Sequence, residues 1–196
     1  MLQLILGGAR SGKSRLAEQT AKASLQSVIY IATAQARDAE MEERIVHHQA
    51  QRPSEWQVIE EPLYLAECLK KYDQEGQLFL VDCLTLWISN LLIHEDKSIQ
   101  FAQCQQLLTV LLTLKSDVIL VSNETGLGVV PLGELTRKFV DESGRLHQEI
   151  GKIANKVSFC VAGFPMTLKD EMNFKNVRLI FSPEEYKEIQ ESIINV

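Results

Sequence analysis

The N-terminal stretch Met1-Leu-Gln-Leu-Ile-Leu-Gly-Gly-Ala-Arg-Ser-Gly-Lys-Ser14 joins a short apolar run to the pattern G-x-x-x-x-G-K-[ST]. In this pattern the glycines let the backbone curl so that its N–H groups point at an anion, and the helix that follows adds its positive N-terminal end. We therefore expect a nucleotide phosphate to bind here. The predicted lining residues are Gly7, Gly8, Ala9, Arg10, Ser11, Gly12, Lys13 and Ser14.

Two side chains of this loop have predicted roles of their own. Lys13 is expected to contact the β- and γ-phosphates as a point charge, and the Ser14 hydroxyl is expected to bind Mg²⁺. A carboxylate at the end of an apolar strand commonly completes such a metal site. Asp82, directly after Leu78-Phe-Leu-Val81, is the predicted carboxylate.

Short apolar runs recur along the chain with helical stretches between them. The predicted strands are residues 2–6, 28–32, 78–81, 118–122, 157–162 and 177–181. Because the runs are continuous rather than alternating, both faces of the sheet should be covered, and helices are the usual cover. The sequence thus predicts an α/β fold with a mostly parallel sheet and helices on both faces, like that of P-loop NTPases.

The helices are predicted from apolar spacing, capping residues and helix breakers. They cover residues 13–24, 38–51, 64–71, 84–94, 99–114 and 183–194. A further helix is expected to begin at Pro131. Gly144 is expected to separate it from a second helix that ends near Asn155.

The composition argues against several classes of protein. The 196 residues fit one compact domain, and the net charge of −6 argues against a nucleic-acid binder. No apolar stretch approaches the ~20 residues needed to span a bilayer. The four cysteines are scattered and form no C-x-x-C pair, so neither a disulfide framework nor a zinc site is predicted. A reducing cytoplasm is the expected location.

The predicted helix 38–51 carries two adjacent histidines. At roughly 100° per residue, Met41 and Ile45 define one face, His48 lies within about 40° of its centre, and His47 lies about 140° away. A histidine on an apolar face ordinarily bonds a backbone carbonyl, but a neutral imidazole can also attack a nucleotide α-phosphorus and form a phosphoramidate. The residues alone leave both alternatives open.

In combination the motifs resemble one family, the bifunctional adenosylcobinamide kinase/adenosylcobinamide-phosphate guanylyltransferases of cobalamin biosynthesis. The resemblance rests on the phosphate loop, on R-I-x-x-H-x-x-x-R-P from Arg44 to Pro53, and on N-E-x-G-x-G-x-V-P from Asn123 to Pro131. Shorter matches are Tyr30-Ile-Ala-Thr-Ala34, Trp56, Glu60 and Ala162-Gly-Phe-Pro165. The matches imply a kinase/guanylyltransferase domain over residues 1–169 and a C-terminal extension of it over residues 170–196.

The resemblance implies two reactions in one chain. The first phosphorylates the aminopropanol hydroxyl of adenosylcobinamide, and the second transfers GMP from GTP to that phosphate, which gives adenosylcobinamide-GDP. ATP and GTP are the implied nucleotides, Mg²⁺ is the implied metal, and a homo-oligomer, expected to be a trimer, is the implied assembly. The implied GMP carrier is His48, with His47 as the alternative.

The resemblance also implies nucleotide contacts away from the loop. The residues concerned are Ala32, Thr33, Ala34, Arg52, Glu60 and Asp82. The Glu60 carboxylate would accept hydrogen bonds from guanine, and Arg44 and Arg52 would stabilise charge at the transferring phosphate. Without the resemblance, Glu60 is predicted as a surface acid and Arg44 as a solvated helix charge.

One position departs from the family. Where its members commonly show G-x-x-N-Q, this chain has Gly144-Arg-Leu-His147-Gln148, and His147 is expected to replace the asparagine as a hydrogen-bond donor. Two rival functions remain. The first is a single-function P-loop kinase of another small alcohol or nucleoside, in which the histidines are structural. The second is a nucleotide-binding protein without turnover.

Overall fold

The structure is a computed structural model that describes residues 1–35 and 53–171. Its strands are β1 (Leu2–Gly7), β2 (Ser27–Ala32), β3 (Gln57–Glu60), β4 (Gln77–Asp82), β5 (Asp117–Asn123), β6 (Lys156–Val161) and β7 (Phe164–Asp170). Its helices are α1 (Lys13–Ala23), α2 (Leu65–Lys71), α3 (Leu84–Ile93), α4 (Ile99–Leu111) and α5 (Glu134–Ile153). The predicted helices 38–51 and 183–194 and the predicted strand 177–181 lie outside the described residues.

The described strands form one sheet in the order β3-β2-β4-β5-β1-β6-β7. All neighbours are parallel except β7, which runs antiparallel to β6. Strand β1 therefore lies inside the sheet, with Leu4 opposite Leu120 on one side and Val157 on the other. The mostly parallel sheet predicted from the continuous apolar runs is confirmed.

Helices cover both faces of this sheet, as predicted. Successive residues of β1 point to opposite faces, so Leu4 packs in one core layer with Trp87 of α3 and Ile150 of α5. Its neighbour Ile5 packs in the other layer with Ala17 of α1. Each buried strand therefore needs apolar residues at consecutive positions, which explains why the runs do not alternate.

The helix predicted to break at Gly144 is continuous, so that prediction is wrong. Helix α5 runs from Glu134 to Ile153 and buries Ser143, Leu146, His147 and Ile150 along one side. A glycine inside a helix costs roughly 1 kcal/mol relative to alanine. The packing of this buried side outweighs that cost. The helix also begins at Glu134, after Gly133, rather than at Pro131.

Strands β3 and β7 were not predicted, because each lies at an edge of the sheet. Strand β3 is mostly exposed, and Phe164, at the start of β7, is 75% exposed. An edge strand has a sheet neighbour on one side only, so it needs no continuous apolar run. Pro165, within β7, also disfavours a strand assignment from sequence.

Within residues 1–35 and 53–171, no helix has both the length and the apolar character needed to cross a bilayer.

Trp87 connects α3 to the chain that follows β3, and its loss is expected to destabilise the fold. The side chain is fully buried, and its indole Nε1 donates a 2.8 Å hydrogen bond to the carbonyl oxygen of Leu63. Trp87→Phe removes this donor and leaves a cavity, so we expect the free energy of unfolding to fall by about 2 kcal/mol. Thermal unfolding should show a Tm lower by about 4–8 °C.

The matched control is Phe101→Leu on α4, where the aromatic side chain is 69% exposed. Its free energy of unfolding should change by less than about 0.5 kcal/mol. Equal stability of the two variants would contradict the role assigned to Trp87.

Candidate functional site

The phosphate loop lies between the last residue of β1, Gly7, and the first residue of α1, Lys13. Two of its residues have left-handed backbone, Arg10 with φ 54° and Gly12 with φ 94°. The Ser11 amide donates a 3.3 Å hydrogen bond to the Gly8 carbonyl oxygen, which closes the turn. The loop therefore opens directly into a helix N-terminus, whose first amide groups have no partner within the helix and can bind an anion.

Two glycines of the loop occupy spaces in which a side chain would not fit. A Cβ atom on Gly7 would lie 2.4 Å from the Ser11 hydroxyl oxygen and 2.8 Å from the Cys160 carbonyl oxygen. A Cβ atom on Gly12 would lie 3.1 Å from the Cα atom of Gly163, and its positive φ favours glycine as well. The loop is thus packed tightly against the end of β6 and the turn that follows.

The turn between β6 and β7 supports the loop directly. The Gly163 amide donates a 2.9 Å hydrogen bond to the Ser11 carbonyl oxygen. Gly163 adopts φ 85°, which favours glycine there too. Because β7 was not predicted, this support was not predicted either.

The Lys13 ammonium lies over the loop. Its Nζ donates a 3.2 Å hydrogen bond to the Gly8 carbonyl oxygen. Burial raises the pKa of Cys83 to about 11, the charge of Asp82 raises it as well, and the charge of Lys13 lowers it. Burial also raises the pKa of Cys160, and Lys13 again opposes the shift. Lys13 therefore lies within electrostatic range of the ends of both β4 and β6.

All four cysteines are free in the structure. Burial also raises the pKa of Cys68 and of Cys104 to about 11. The cysteine thiols are therefore protonated at neutral pH and are poor nucleophiles.

Asp82 is the last residue of β4 and reaches the carboxyl edge of the sheet. Its Oδ2 accepts a 3.1 Å hydrogen bond from the hydroxyl of Tyr30, a side chain only 2% exposed. Only β5 separates β4 from β1, and in open parallel sheets ligands bind at this edge. Tyr30 thus holds the Asp82 carboxylate at the same edge of the sheet as the phosphate loop.

Ser14 and Asp82 offer a hydroxyl and a carboxylate, the oxygen ligands that Mg²⁺ prefers. In the described part of the chain, no cluster of three or more His, Cys, Asp or Glu residues could hold a metal ion by itself. Mg²⁺ usually takes one or two protein ligands and completes its shell with phosphates and water. This donor set therefore fits a Mg²⁺ ion that binds together with a nucleotide.

The segment after β2 is tied to the end of β4 by Thr33. The buried Thr33 hydroxyl donates a 2.7 Å hydrogen bond to the Cys83 carbonyl oxygen and accepts a 2.9 Å bond from the Cys83 amide. Asn90 of α3 donates a 2.8 Å hydrogen bond to the Thr33 carbonyl oxygen. The Thr33 hydroxyl therefore bonds the protein itself, and its neighbours Ala32 and Ala34 are partly exposed.

Glu60 ends β3 at the edge of the sheet, opposite Ala32 of β2. The next acid, Glu61, is engaged by the backbone, because its carboxylate accepts hydrogen bonds from the amides of Leu63 and Tyr64. Glu60 is exposed. Of the two acids, Glu60 is therefore the one that faces solvent at this edge.

Strand β5 ends beside the phosphate loop. Asn123 lies opposite Gly7 in the sheet register, and the Glu124 amide donates a 3.1 Å hydrogen bond to the Gly7 carbonyl oxygen. The Asn123 Oδ1 and the Ser11 Oγ are buried and have no hydrogen-bond partner among the described residues. Buried polar atoms without a partner are rare, so two of them around Gly7 are typical of a site that a ligand or water completes.

His147 reaches this same place from α5. Its Nε2 lies 2.7 Å from the Ser122 hydroxyl oxygen, and its Nδ1 lies 3.9 Å from a carboxylate oxygen of Glu124. Burial lowers the pKa of His147, and the charge of Glu124 raises it in part. His147 therefore shares a hydrogen bond with Ser122, and the tautomer decides whether its ring donates or accepts, so the donor role expected from the sequence stays a prediction.

The structure brings most of the predicted site residues to one edge of the sheet. They are Gly7 to Ser14, from the end of β1 into α1, Ala32 to Ala34 at the end of β2, Glu60 at the end of β3 and Asp82 at the end of β4. His48 and Arg52, and the alternatives His47 and Arg44, lie outside the described residues. The supporting contacts made by Tyr30, Ser122 and Gly163 were not predicted, because a hydroxyl or glycine within a strand or turn carries no sequence signal of its partner.

Solved structures share this fold at low sequence identity. A protein of Pyrococcus horikoshii OT3 superposes with a TM-score of 0.55 at 9% identity, covering 93% of this chain and 92% of that chain. The ATP synthase subunit NeqB of Nanoarcheaum equitans superposes with a TM-score of 0.50 at 13% identity, covering 99% of this chain and 57% of that chain. These similarities support the fold alone.

Curated relatives are far closer in sequence. The bifunctional adenosylcobalamin biosynthesis protein CobP of Pseudomonas aeruginosa is 56% identical over 171 residues, which cover 87% of this chain and 99% of the relative. The bifunctional protein CobU of Escherichia coli (strain K12) is 36% identical over 183 residues, covering 86% of this chain and 100% of the relative. The family model described as cobinamide kinase / cobinamide phosphate guanyltransferase matches residues 3–168. The chain therefore belongs to the cobinamide kinase / cobinamide phosphate guanyltransferase family.

Proposed function

We propose that this chain phosphorylates adenosylcobinamide and then transfers GMP from GTP to the new phosphate, so that adenosylcobinamide-GDP is formed in cobalamin biosynthesis. The observation that carries the proposal is a nucleotide-type phosphate loop, with Lys13 and Asp82 at one sheet edge, in a chain 56% identical to a bifunctional relative over 99% of that relative. The family match over residues 3–168 supports both activities.

The kinase step needs positioning and charge stabilisation more than covalent help from the protein. The loop amides and the Lys13 ammonium hold the phosphates of the nucleotide, and Lys13 exchanges its bond with the Gly8 carbonyl for one with a phosphate oxygen. The hydroxyl of the acceptor attacks the γ-phosphorus and releases its proton to water, while the bond to the β-phosphate oxygen breaks and the nucleoside diphosphate leaves. Ser14 and Asp82 would hold Mg²⁺, which neutralises charge on the phosphates when bound.

The guanylyl transfer proceeds through His48 in this proposal, with His47 as the alternative. The imidazole nitrogen attacks the α-phosphorus of GTP, and pyrophosphate leaves. The phosphate oxygen of the acceptor then attacks the same phosphorus, and the P–N bond breaks. Arg52 stabilises the charge at this phosphorus, and Glu60 accepts hydrogen bonds from guanine, which suits its solvent-facing place at the sheet edge.

Exposed apolar side chains support a homo-oligomer, with a trimer as the proposed state. They cluster after β5, where Val129 is 96% and Leu132 is 97% exposed. Exposed apolar patches of this kind are typical of protein–protein contacts.

The proposal also includes a cytoplasmic location. It assigns both activities to a domain over residues 1–169, which residues 170–196 extend.

Lys13→Ala tests the phosphate loop. The variant loses the charge expected at the β- and γ-phosphates, so we expect kcat/KM for cobinamide phosphorylation to fall at least about 100-fold. Release of nucleoside diphosphate with cobinamide as acceptor measures the reaction. Lys22→Ala, an exposed lysine in the last turn of α1, is the control and should retain wild-type activity. Equal activity of the two variants would remove Lys13 from the mechanism.

Asp82→Asn tests the metal carboxylate. An asparagine oxygen can still accept the hydrogen bond from Tyr30, but its lost charge weakens the attraction to Mg²⁺. We expect the Mg²⁺ concentration for half-maximal activity to rise about tenfold. Glu75→Gln, an exposed acid before β4, is the control. An unchanged Mg²⁺ dependence in Asp82→Asn would show that another group binds the metal.

Labelling with α-labelled GTP tests the transferase step. The wild type is incubated with Mg²⁺ and labelled GTP, denatured, and treated with acid or base before peptide mapping. Acid-labile, base-stable label that is lost in His48→Ala and kept in His47→Ala is expected for a guanylyl-histidine at residue 48. Label lost only in His47→Ala would move the carrier to that residue.

The same experiment separates the rival functions. A wild type that phosphorylates cobinamide and takes up no label would be a kinase alone, and the bifunctional proposal would fail. A wild type that binds nucleotide without consuming it in the presence of cobinamide would be a binding protein.

A further inference from the structure

A chain of buried hydroxyl groups connects His147 to the backbone at the end of β5. The His147 Nε2 lies 2.7 Å from the Ser122 hydroxyl, which lies 3.1 Å from the Thr85 hydroxyl on α3. The Thr85 oxygen accepts a 2.6 Å hydrogen bond from the Asn123 amide. The next amide, that of Glu124, bonds Gly7 of the phosphate loop. Groups from α5, β5 and α3 therefore meet where the loop begins.

The Asn123 amide at one end and the Glu124 carboxylate at the other favour one direction for these hydrogen bonds. The Asn123 amide can only donate, so the Thr85 oxygen accepts from it. If the Thr85 proton then goes to Ser122, the Ser122 proton goes to His147 Nε2, and the ring carries its own proton on Nδ1. This tautomer places an N–H toward the Glu124 carboxylate, 3.9 Å away. The reverse direction would place a ring lone pair toward that negative charge, which is unfavourable.

We propose that His147 is a positioning residue for the nucleotide site, which holds Asn123 through Ser122 and Thr85 and orients the Glu124 carboxylate beside the phosphate loop. The inference rests on the proposed function, because it gives His147 a part in the same reaction. It does not make His147 a catalytic residue, since the ring contacts Ser122 and faces Glu124 rather than the reacting atoms.

Glu124 shows why the orientation matters. Its backbone amide bonds Gly7, and one of its carboxylate oxygens accepts a 2.6 Å hydrogen bond from the Gly126 amide. The other oxygen faces His147. The carboxylate is thus held between the ring and the loop after β5, and the adjacent Asn123 Oδ1 is a buried acceptor with no partner among the described residues. A shift of either group would move polar atoms at the start of the phosphate loop.

Protonation of His147 would disturb this arrangement. The ring bonds the Ser122 hydroxyl of β5, which in turn bonds the Thr85 hydroxyl of α3, and the charge that acts on the ring comes from Glu124 in the loop after β5. A doubly protonated ring donates from both nitrogens, so Ser122 must turn its proton to Thr85, and Glu124 is drawn away from the Gly126 amide. Burial keeps the pKa of His147 below its ordinary value of 6.5, so the neutral ring prevails at neutral pH.

The decisive experiment compares His147→Asn and His147→Leu with the wild type between about pH 5.5 and 8. An asparagine side chain can form a hydrogen bond with Ser122 but does not titrate. A leucine side chain forms no hydrogen bond and does not titrate either. We expect His147→Asn to keep kcat within about threefold at pH 8, and its activity relative to the wild type to rise as the pH falls. His147→Leu should lose at least about tenfold in kcat at pH 8, with KM for nucleotide changed less than about threefold.

The matched control is Ser143→Ala, one turn earlier on the same buried side of α5, where the hydroxyl has no partner in the described part of the chain. It should change neither kcat nor the pH profile. The proposal is overturned if folded His147→Leu behaves like this control, or if His147→Asn keeps the pH profile of the wild type. If His147→Leu does not fold, the profile of His147→Asn decides by itself.

Two readouts do not depend on cobinamide turnover. Nitrogen NMR of the histidine rings, with His147 assigned by its absence from His147→Asn, should show the Nδ1–H tautomer at pH 8, and the Nε2–H tautomer would overturn the proposal.

The second readout is the stability of the fold as a function of pH. Since the folded-state pKa of His147 is lowered, the neutral ring stabilises the fold fully above the unfolded-state pKa, and this contribution is lost as the pH falls through the folded-state pKa. The wild type should therefore lose more stability below about pH 6.5 than His147→Asn does, and equal losses would count against the buried neutral ring. A wild type inactive on cobinamide would refute the proposed function and leave both readouts intact.

Discussion

The phosphate loop keeps its shape because both strands that flank β1 bond to it. On one side the Glu124 amide after β5 bonds the Gly7 carbonyl oxygen, and on the other side Gly163 after β6 bonds the Ser11 carbonyl oxygen. A loop rich in glycine loses much conformational entropy when it is ordered. These two bonds, and the close packing around Gly7 and Gly12, hold the loop ready for an anion before it binds.

The opposite side of the site depends on helix α3. Trp87 and Asn90 of α3 bond the carbonyl oxygens of Leu63 and Thr33, and so connect the chain after β3 and β2 to the core. Thr33 in turn bonds the residue after Asp82. The same set of hydrogen bonds therefore positions the Asp82 carboxylate, the segment 32–34 and the exposed Glu60. A substitution in the core beneath them would shift these groups at the edge of the sheet.

Much of this fold could be predicted, and each failure has a physical cause. Strands β1, β4 and β5 are buried on both faces, so burial alone demands the apolar runs that revealed them. Strands β3 and β7 lie at the edges of the sheet and are largely exposed, so they need no continuous apolar run. The continuity of α5 across Gly144 depends on packing against the sheet, which outweighs the local preference of one glycine.

The sequence by itself determined the phosphate loop, its lysine and hydroxyl, and the carboxylate at the end of a buried strand, because each depends on local spacing within one stretch of the chain. The tertiary structure alone decided that His147 meets Ser122, that Tyr30 holds Asp82, and that Gly163 supports Ser11. These contacts join residues far apart in the chain, and each polar side chain found its partner only because the order of strands in the sheet placed the two together. Hydrogen bonds act over about 3 Å, so no pattern along the sequence can specify such a pair before the sheet has formed.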